Sequence, residues 1–274
     1  MIELFEDDLN MPDRQSSKGN QLKFRRDGIW YKADYLGYEG LVEYTASKLL
    51  HYSNLKEDEF VDYELDTISY NGQIFNACKS RDFTKGWQLI TLERLFKQMY
   101  GKGLNNMIYS VSDHVKRLEL IVDQVERTTG IAGFGRYMCK TLSIDAFILN
   151  EDRHTHNLAV LTDNRGNFKL SPIFDNGAGL LSDTTLSYPM GRDLIAYIDK
   201  VKPKTFCDDF AEQVDIAERL YGRTLTFDFG YNEVRDIVDP AEQYNRDVRE
   251  RVTDIVMQMR RKYTYMFAKR DCSF

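Results

Sequence analysis

The sequence predicts an α+β protein of two lobes, a small β-rich lobe followed by a larger, mainly helical one. Three observations carry that expectation. In roughly the first 90 residues, short aromatic and β-branched runs are separated by turn dipeptides. From about residue 88 onward, apolar residues recur at three-to-four spacing. At residues 149–161 a polar cluster, LNEDRHTHNLAVL, ends one helical pattern and runs straight into a strand-like segment. The expected division is residues 1–82 and 83–274.

In chain order, QLKFRRDGIWYKADY reads as a hairpin about Arg26-Asp27-Gly28. GLVEYTASKLLHY places apolar or aromatic residues at 41, 42, 44, 46, 49 and 50, which suits a helix better than a strand. FVDYELDTISYNGQIFNACKSRDF returns to β character, with Asn71-Gly72 as the turn of a second hairpin. SDHVKRLELIVDQVERTTG sets Val115, Leu118, Val122 and Val125 on one face and stops at Gly130. GRYMCKTLSIDAFIL is a second helical pattern. LAVLTDNRGNFKLSPIFD reads as two short strands around Asn164-Arg165-Gly166-Asn167. Near the end, Tyr244, Val248, Val252, Ile255, Met259 and Tyr263 form a helical stripe. Residues 183–274 as a whole read as helices of the second lobe's core.

Bulk properties exclude several function classes. At 274 residues, 42% hydrophobic and 29% charged, the chain has the make-up of a globular protein. A net charge of −6 argues against direct nucleic-acid binding, which calls for a basic face. The cysteines Cys78, Cys139, Cys207 and Cys272 form no CxxC pair and suit a reducing compartment. MIELFEDDLNMPDRQ is acidic and lacks an apolar signal core, and no stretch approaches a transmembrane span. The expected location is cytoplasmic.

The polar cluster admits three chemistries. His154, His156 and Asp152 offer three zinc ligands, with only His51 and His114 as further histidines. A nucleophilic hydrolase would need an activated Ser or Cys beside a His, and there is no GxSxG. Phosphoryl transfer needs a carboxylate to orient the attacking hydroxyl, hard oxygen ligands for Mg²⁺, and a lysine for phosphate oxygens. Asp152 and Asn157, five apart on a loop after a helix, supply the first carboxylate and one metal ligand. Asp175 in PIFDNGAGLL supplies a second carboxylate, and the intervening hairpin would bring the two loops to one edge. The combination, more than either motif, favours phosphoryl transfer.

NEDRHTHN followed by SPIFDNGAGL resembles the catalytic and metal-binding loops of the HipA-like bacterial serine/threonine kinases. It is also similar to the DRH…N…D pattern of the phosphatidylinositol 3/4-kinases. The resemblance implies a protein-kinase-like fold and use of ATP and Mg²⁺. It aligns Asp152 with the catalytic acid, and Asn157 and Asp175 with Mg²⁺ ligands. His154 takes the place of the motif histidine that supports the loop or the transferring phosphate, and His156 falls at a variable position. A kinase of this kind also needs a small-lobe lysine and a helix glutamate, for which Lys32 in IWYKAD and Glu43 in GLVEYTASKLL stand in the right order. SSKGNQLKF resembles the phosphate-covering loop, with Gly19, Gln21 and Lys23 in family-like positions. Ser16, or its neighbour Ser17, falls where family members carry an inhibitory autophosphorylation. Longer members carry a further N-terminal subdomain, so the chain resembles the short form.

The expected activity is therefore an ATP- and Mg²⁺-dependent protein serine/threonine kinase that also modifies itself, with adenine near Cys78 to Asp82. A lipid or small-molecule kinase is the enzyme alternative, and a nucleotide-binding pseudokinase module the non-enzyme one. The expected partners are a protein substrate and the chain itself, with room for a regulatory partner protein.

Overall fold

The computed structural model describes residues 1–9 and 21–267. Contacts gather the chain into two units. One comprises Met1–Asp82, Phe174–Lys200 and Leu225–Phe274; the other comprises Phe83–Ile173 and Val201–Thr224. Residues 174–200 and 225–274, assigned from sequence to the second lobe, group instead with the N-terminal segment.

The first unit is built on a five-stranded sheet of order β1-β4-β5-β3-β2. Its strands are β1 (Ile2–Glu3), β2 (Lys23–Arg26), β3 (Ile29–Ala33), β4 (Glu64–Tyr70) and β5 (Gln73–Arg81). Pairing is antiparallel except for β1 against β4. Both hairpins expected from sequence form on two-residue turns. Asp27 and Gly28 have φ 51° and 73°, and Asn71 and Gly72 have 49° and 75°. Positive φ at both positions gives a turn whose twist matches that of the flanking strands. Leu4, Phe24, Tyr31, Ala33, Ile68 and Ala77 form a buried cluster on this sheet.

Helix α1 (Glu39–Leu50) packs on β3, β4 and β5 and buries Leu41, Val42, Ala46, Leu49 and Leu50. Gly40 makes the close approach to β5 workable. A Cβ there would lie 2.9 Å from Asp34 Oδ1 and 3.0 Å from the Cys78 nitrogen. The Tyr38 side chain does not cap this helix. Asp34 does so from outside, its Oδ1 accepting from the Gly40 N–H at 2.6 Å, while Tyr244 donates its hydroxyl to Oδ2 at 2.8 Å.

In the second unit, β6 (Gln88–Thr91), β7 (Ala159–Thr162) and β8 (Phe168–Leu170) form an antiparallel sheet. Sequence reading finds the β7–β8 pair but not β6, which is four residues long and runs directly into α2 (Leu92–Tyr100). A short α3 (Leu104–Ile108) precedes α4 (His114–Thr129), which closes on Gly130 at φ 70° as expected. Helix α5 (Phe134–Ile148) is buried except at Arg136 and Lys140. Gly135 lets it lie against α7 (Phe210–Tyr221), since a Cβ would sit 2.4 Å from the Tyr221 ring.

The remaining helices, α6 (Leu194–Lys200), α8 (Tyr231–Val238) and α9 (Arg246–Lys262), belong to the first unit. The stripe from Tyr244 to Tyr263 overshoots α9 at both ends. Asn245 caps the helix by accepting from Val248 N–H at 2.9 Å, so Tyr244 precedes it and Tyr263 closes it.

Asp34 gives this fold a pH dependence. Burial, reinforced by nearby Glu39, raises its carboxyl to about 8. A folded-state pKa above the unfolded one means the folded protein holds the proton more tightly. The stabilisation is therefore complete below the ordinary carboxylate range and is lost as pH rises through about 8. At roughly 1.4 kcal/mol per pKa unit, the loss reaches up to about 6 kcal/mol. Denaturant unfolding of wild type and Asp34→Asn between pH 5 and 9 should show a declining wild-type stability and a flatter variant. Parallel profiles would remove Asp34 from this role.

Candidate active site

Lys32, Glu43 and Asp175, far apart in sequence, meet in the first unit. Lys32 is the penultimate residue of β3, Glu43 sits one turn into α1, and Asp175 follows the segment that returns from β8. The Lys32 Nζ lies 2.6 Å from Glu43 Oε1 and 2.7 Å from Asp175 Oδ1. Tyr63 adds its hydroxyl at 3.4 Å, and its ring centroid lies 5.3 Å from the ammonium. Burial alone would lower the Lys32 pKa. Asp175 and then Glu43 outweigh it and hold the group well above the ordinary lysine value.

The second oxygen of Glu43 accepts from the Asn176 N–H at 2.8 Å, so one carboxylate fixes both the lysine and the turn beside Asp175. Asp175 itself has φ 61°, a left-handed conformation that Asp tolerates better than most residues. Lys23 Nζ stands 4.0 Å from the same Asp175 oxygen. The cluster is therefore an acid held by two cations, with the nearer cation braced by a second acid.

The second unit organises the DRHTHN segment. Helix α5 ends at Leu149 in the left-handed region (φ 58°), turning the chain sharply into the loop. Asp145, buried in the last turn of α5, takes the Arg153 guanidinium on both oxygens, with Nε–Oδ2 at 2.9 Å and Nη2–Oδ1 at 3.0 Å. Asn150 Nδ2 also donates to Asp145, at 2.8 Å. Arg153 is 1% exposed. Such a buried, doubly bonded pair fixes loop shape more than it adds stability.

On this support, Asn157 Nδ2 donates to the Asp152 carbonyl at 2.8 Å and approaches its carboxylate at 3.4 Å. The amide oxygen of Asn157 is then the atom able to ligate a cation. His154 Nε2 lies 3.8 Å from Asp152 Oδ1, and Nδ1 accepts from the His156 N–H at 3.2 Å. Burial, only partly opposed by Asp152, holds the His154 pKa below the usual histidine value, so a neutral imidazole supports the loop. His156 is exposed. The ligand atoms of Asp152, His154 and His156 do not form one metal-holding group among the described residues.

Other expected positions are distributed as follows. Gln21 donates Nε2 to the Ala33 carbonyl at 3.0 Å. Cys78 is fully buried on β5, in register with Lys32 and Leu65 on its two neighbours, so the ladder takes its main-chain groups. Asp82 pairs with Arg25 at 2.6 Å and closes the β2–β3 turn through its N–H to Gly28. Ser16, Ser17 and Gly19 lie outside the described residues.

Sequence reasoning missed Lys204, whose Nζ lies 3.5 Å from Asp152 Oδ1 across 52 residues. It also missed Asn176 and the Asp145–Arg153–Asn150 support. Asp145 carried a legible signal, an acid in the otherwise apolar run SIDAFIL; Lys204 carried none.

Removing the members of the first cluster should have unequal costs. Lys32→Met leaves the buried Glu43 and the half-buried Asp175 poorly compensated, for a loss of about 3–5 kcal/mol. Glu43→Gln leaves Lys32 still paired with Asp175 and should cost about 1–3 kcal/mol. Chemical denaturation at neutral pH checks the order, and equal losses would contradict the described pairing.

No protein-family model and no curated protein matches the chain. Solved structures do. A crystal structure of the Helicobacter pylori proinflammatory kinase CtkA superposes with TM-score 0.56 at 18% identity, covering 94% of this chain and 93% of that one. A Shewanella oneidensis toxin–antitoxin complex of HipA, HipB and operator DNA gives TM-score 0.45 at 10% identity, covering 93% and 62%. No helix among the described residues is long and apolar enough to cross a membrane. The sheet with its packed helix and the superposition on CtkA agree: the chain shares the fold of that Helicobacter pylori kinase.

Proposed function

We propose that this protein is an ATP- and Mg²⁺-dependent protein serine/threonine kinase. The observation that carries the reading is Lys32 bonded at once to Glu43 and Asp175. A lysine placed by a helix glutamate and standing beside a metal-type carboxylate is the phosphate-holding device of protein kinases. The donor set supports the metal as well. Asp175 and the Asn157 amide offer hard oxygens, which suit Mg²⁺. When bound, Mg²⁺ would neutralise charge on the phosphates.

The chain's own residues then divide the work. Glu43 keeps Lys32 extended so that its ammonium can meet phosphate oxygens. Lys23 adds a second positive charge on the same side of Asp175. Asp152 orients the acceptor hydroxyl and would receive its proton as the new P–O bond forms, the β–γ bond of ATP breaks and ADP leaves. Lys204, 3.5 Å from the Asp152 carboxylate, offers a cation to the transferring phosphoryl group. The buried Asp145–Arg153 pair holds the loop in place for all of this. Adenine would be received near Ser80 to Asp82, where β5 extends past its β4 partner, rather than at Cys78.

A hydroxyl on a protein is the proposed acceptor, with Ser16 or Ser17 as a self-modified site. A phosphoserine there brings roughly −1.5 to −2 charge. Beside bound phosphates it would repel them and switch the enzyme off.

Purified protein incubated with labelled ATP and Mg²⁺, followed by mass spectrometry, should place phosphate on serine or threonine and on residue 16 or 17. Asp152→Asn should keep its fold and its nucleotide affinity, while phosphoryl transfer falls by roughly 10²–10⁴-fold. Transfer to a lipid or small alcohol alone would overturn the protein-kinase assignment. Near-normal turnover in the folded variant would remove Asp152 from its role.

A further inference from the structure

Away from the phosphoryl-transfer loops, the second unit brings three different metal-binding atoms together. A His114 ring nitrogen, the Cys207 sulfur and a Glu212 carboxylate oxygen lie within 4.8 Å of one another. No role in the kinase chemistry uses them.

Each comes from a fixed point. His114 opens α4, whose first turn is capped by Asp113 accepting from Lys116 N–H at 2.9 Å. Glu212 lies in the first turn of α7, where Asp209 accepts from its N–H at 2.8 Å. The loop carrying Cys207 is pinned from both sides. Arg117 donates to the Phe206 carbonyl at 2.8 Å, and Gln213 to the Cys207 carbonyl at 3.0 Å. Three anchors set by capped helices and backbone hydrogen bonds lower the ordering cost of binding.

The plain alternative is a surface ion pair, since His114 Nδ1 and Glu212 Oε1 stand 2.6 Å apart. An ion pair does not explain the buried thiol brought to the same point. An open cleft of about 500 Å³, lined by Asp113, His114, Glu212 and Asp215, gives a hydrated cation a way in.

We propose that His114, Cys207 and Glu212 form a zinc site whose fourth ligand is water. Mixed nitrogen, sulfur and oxygen donors suit Zn²⁺ and are unsuited to Mg²⁺ or Ca²⁺. With bonds of the usual length, tetrahedral ligands lie roughly 3.3–3.8 Å apart, so loading draws the thiol inward by about 1 Å and opens the His114–Glu212 contact. The S–H bond breaks as Zn–S forms, and the proton leaves to solvent. The thiolate and carboxylate then cancel the charge of the ion.

The site also sits at the end of a segment that touches the catalytic loop. Thr205 donates its hydroxyl to the Arg153 carbonyl at 2.6 Å, and Lys204 reaches Asp152. Zinc on Cys207 would clamp the chain two and three residues from those contacts, tying the loop's support to α4 and α7.

Cobalt(II) chloride is the direct probe, because a thiolate ligand gives a near-ultraviolet charge-transfer band. The full-length protein should show that band saturating at one cobalt per chain and disappearing on addition of zinc chloride. Cys207→Ser should lose it, and His114→Ala should weaken binding at least about 100-fold, beyond the cost of losing an outer hydrogen-bond partner. Zinc should raise the melting temperature of wild type and not of either variant. Melting without metal establishes that each variant is folded, and His114 at the surface keeps the test valid if Cys207→Ser is not. Absence of saturable binding, a band retained by Cys207→Ser, or unchanged affinity in His114→Ala would overturn the assignment.

Discussion

The Lys32 ammonium between two carboxylates is the constraint on which the first unit's architecture depends. Lys32 is held by Glu43 and Asp175 at 2.6 and 2.7 Å. Each contact demands something of the fold. Glu43 must come close to the sheet, which α1 achieves through Gly40, where a Cβ would press on the Cys78 nitrogen. Asp175 must turn sharply, which its left-handed backbone and the Glu43–Asn176 bond provide. A buried ion pair contributes little net stability, because desolvation offsets most of the attraction. What it contributes here is position.

The same economy governs the Asp152 loop. Asp145 and Arg153 are both almost completely buried, each against the other. Their bidentate pair fixes the bend that presents Asp152 and Asn157. Burial raises the Asp145 pKa and Arg153 offsets part of the effect, so the pair fixes the loop's shape more than it adds stability. Lys204 then reaches the Asp152 carboxylate from a segment tied to the same loop by the Thr205 hydroxyl, which donates to the Arg153 carbonyl.

Legibility in the sequence followed the range of the interactions. Asp27-Gly28 and Asn71-Gly72 announce their turns because the turn chemistry is complete within two residues. The α4 stop at Gly130 is readable for the same reason. The DRHTHN and FDNG segments are readable because several residue types with one chemistry cluster locally. Partners across long separations left no trace, as with Lys204 beside Asp152. The unit boundaries were hidden similarly, since α8 and α9 look from sequence like any amphipathic helices. Only their packing, and Tyr244 reaching Asp34, assigns them to the first unit. The His114–Cys207–Glu212 cluster was equally silent, with ligands 93 and 5 residues apart in the chain.

The proposed function requires Asp175 to exchange Lys32 for a metal ion when nucleotide binds. Calorimetric titration with a non-hydrolysable ATP analogue, with and without Mg²⁺, tests it in wild type and Asp175→Ala. Magnesium should strengthen binding to wild type markedly and to the variant little. Without magnesium the variant should bind at least as well, because Lys32 no longer has Asp175 to neutralise and one negative charge facing the phosphates is gone. Equal magnesium enhancement in the two proteins would contradict the account.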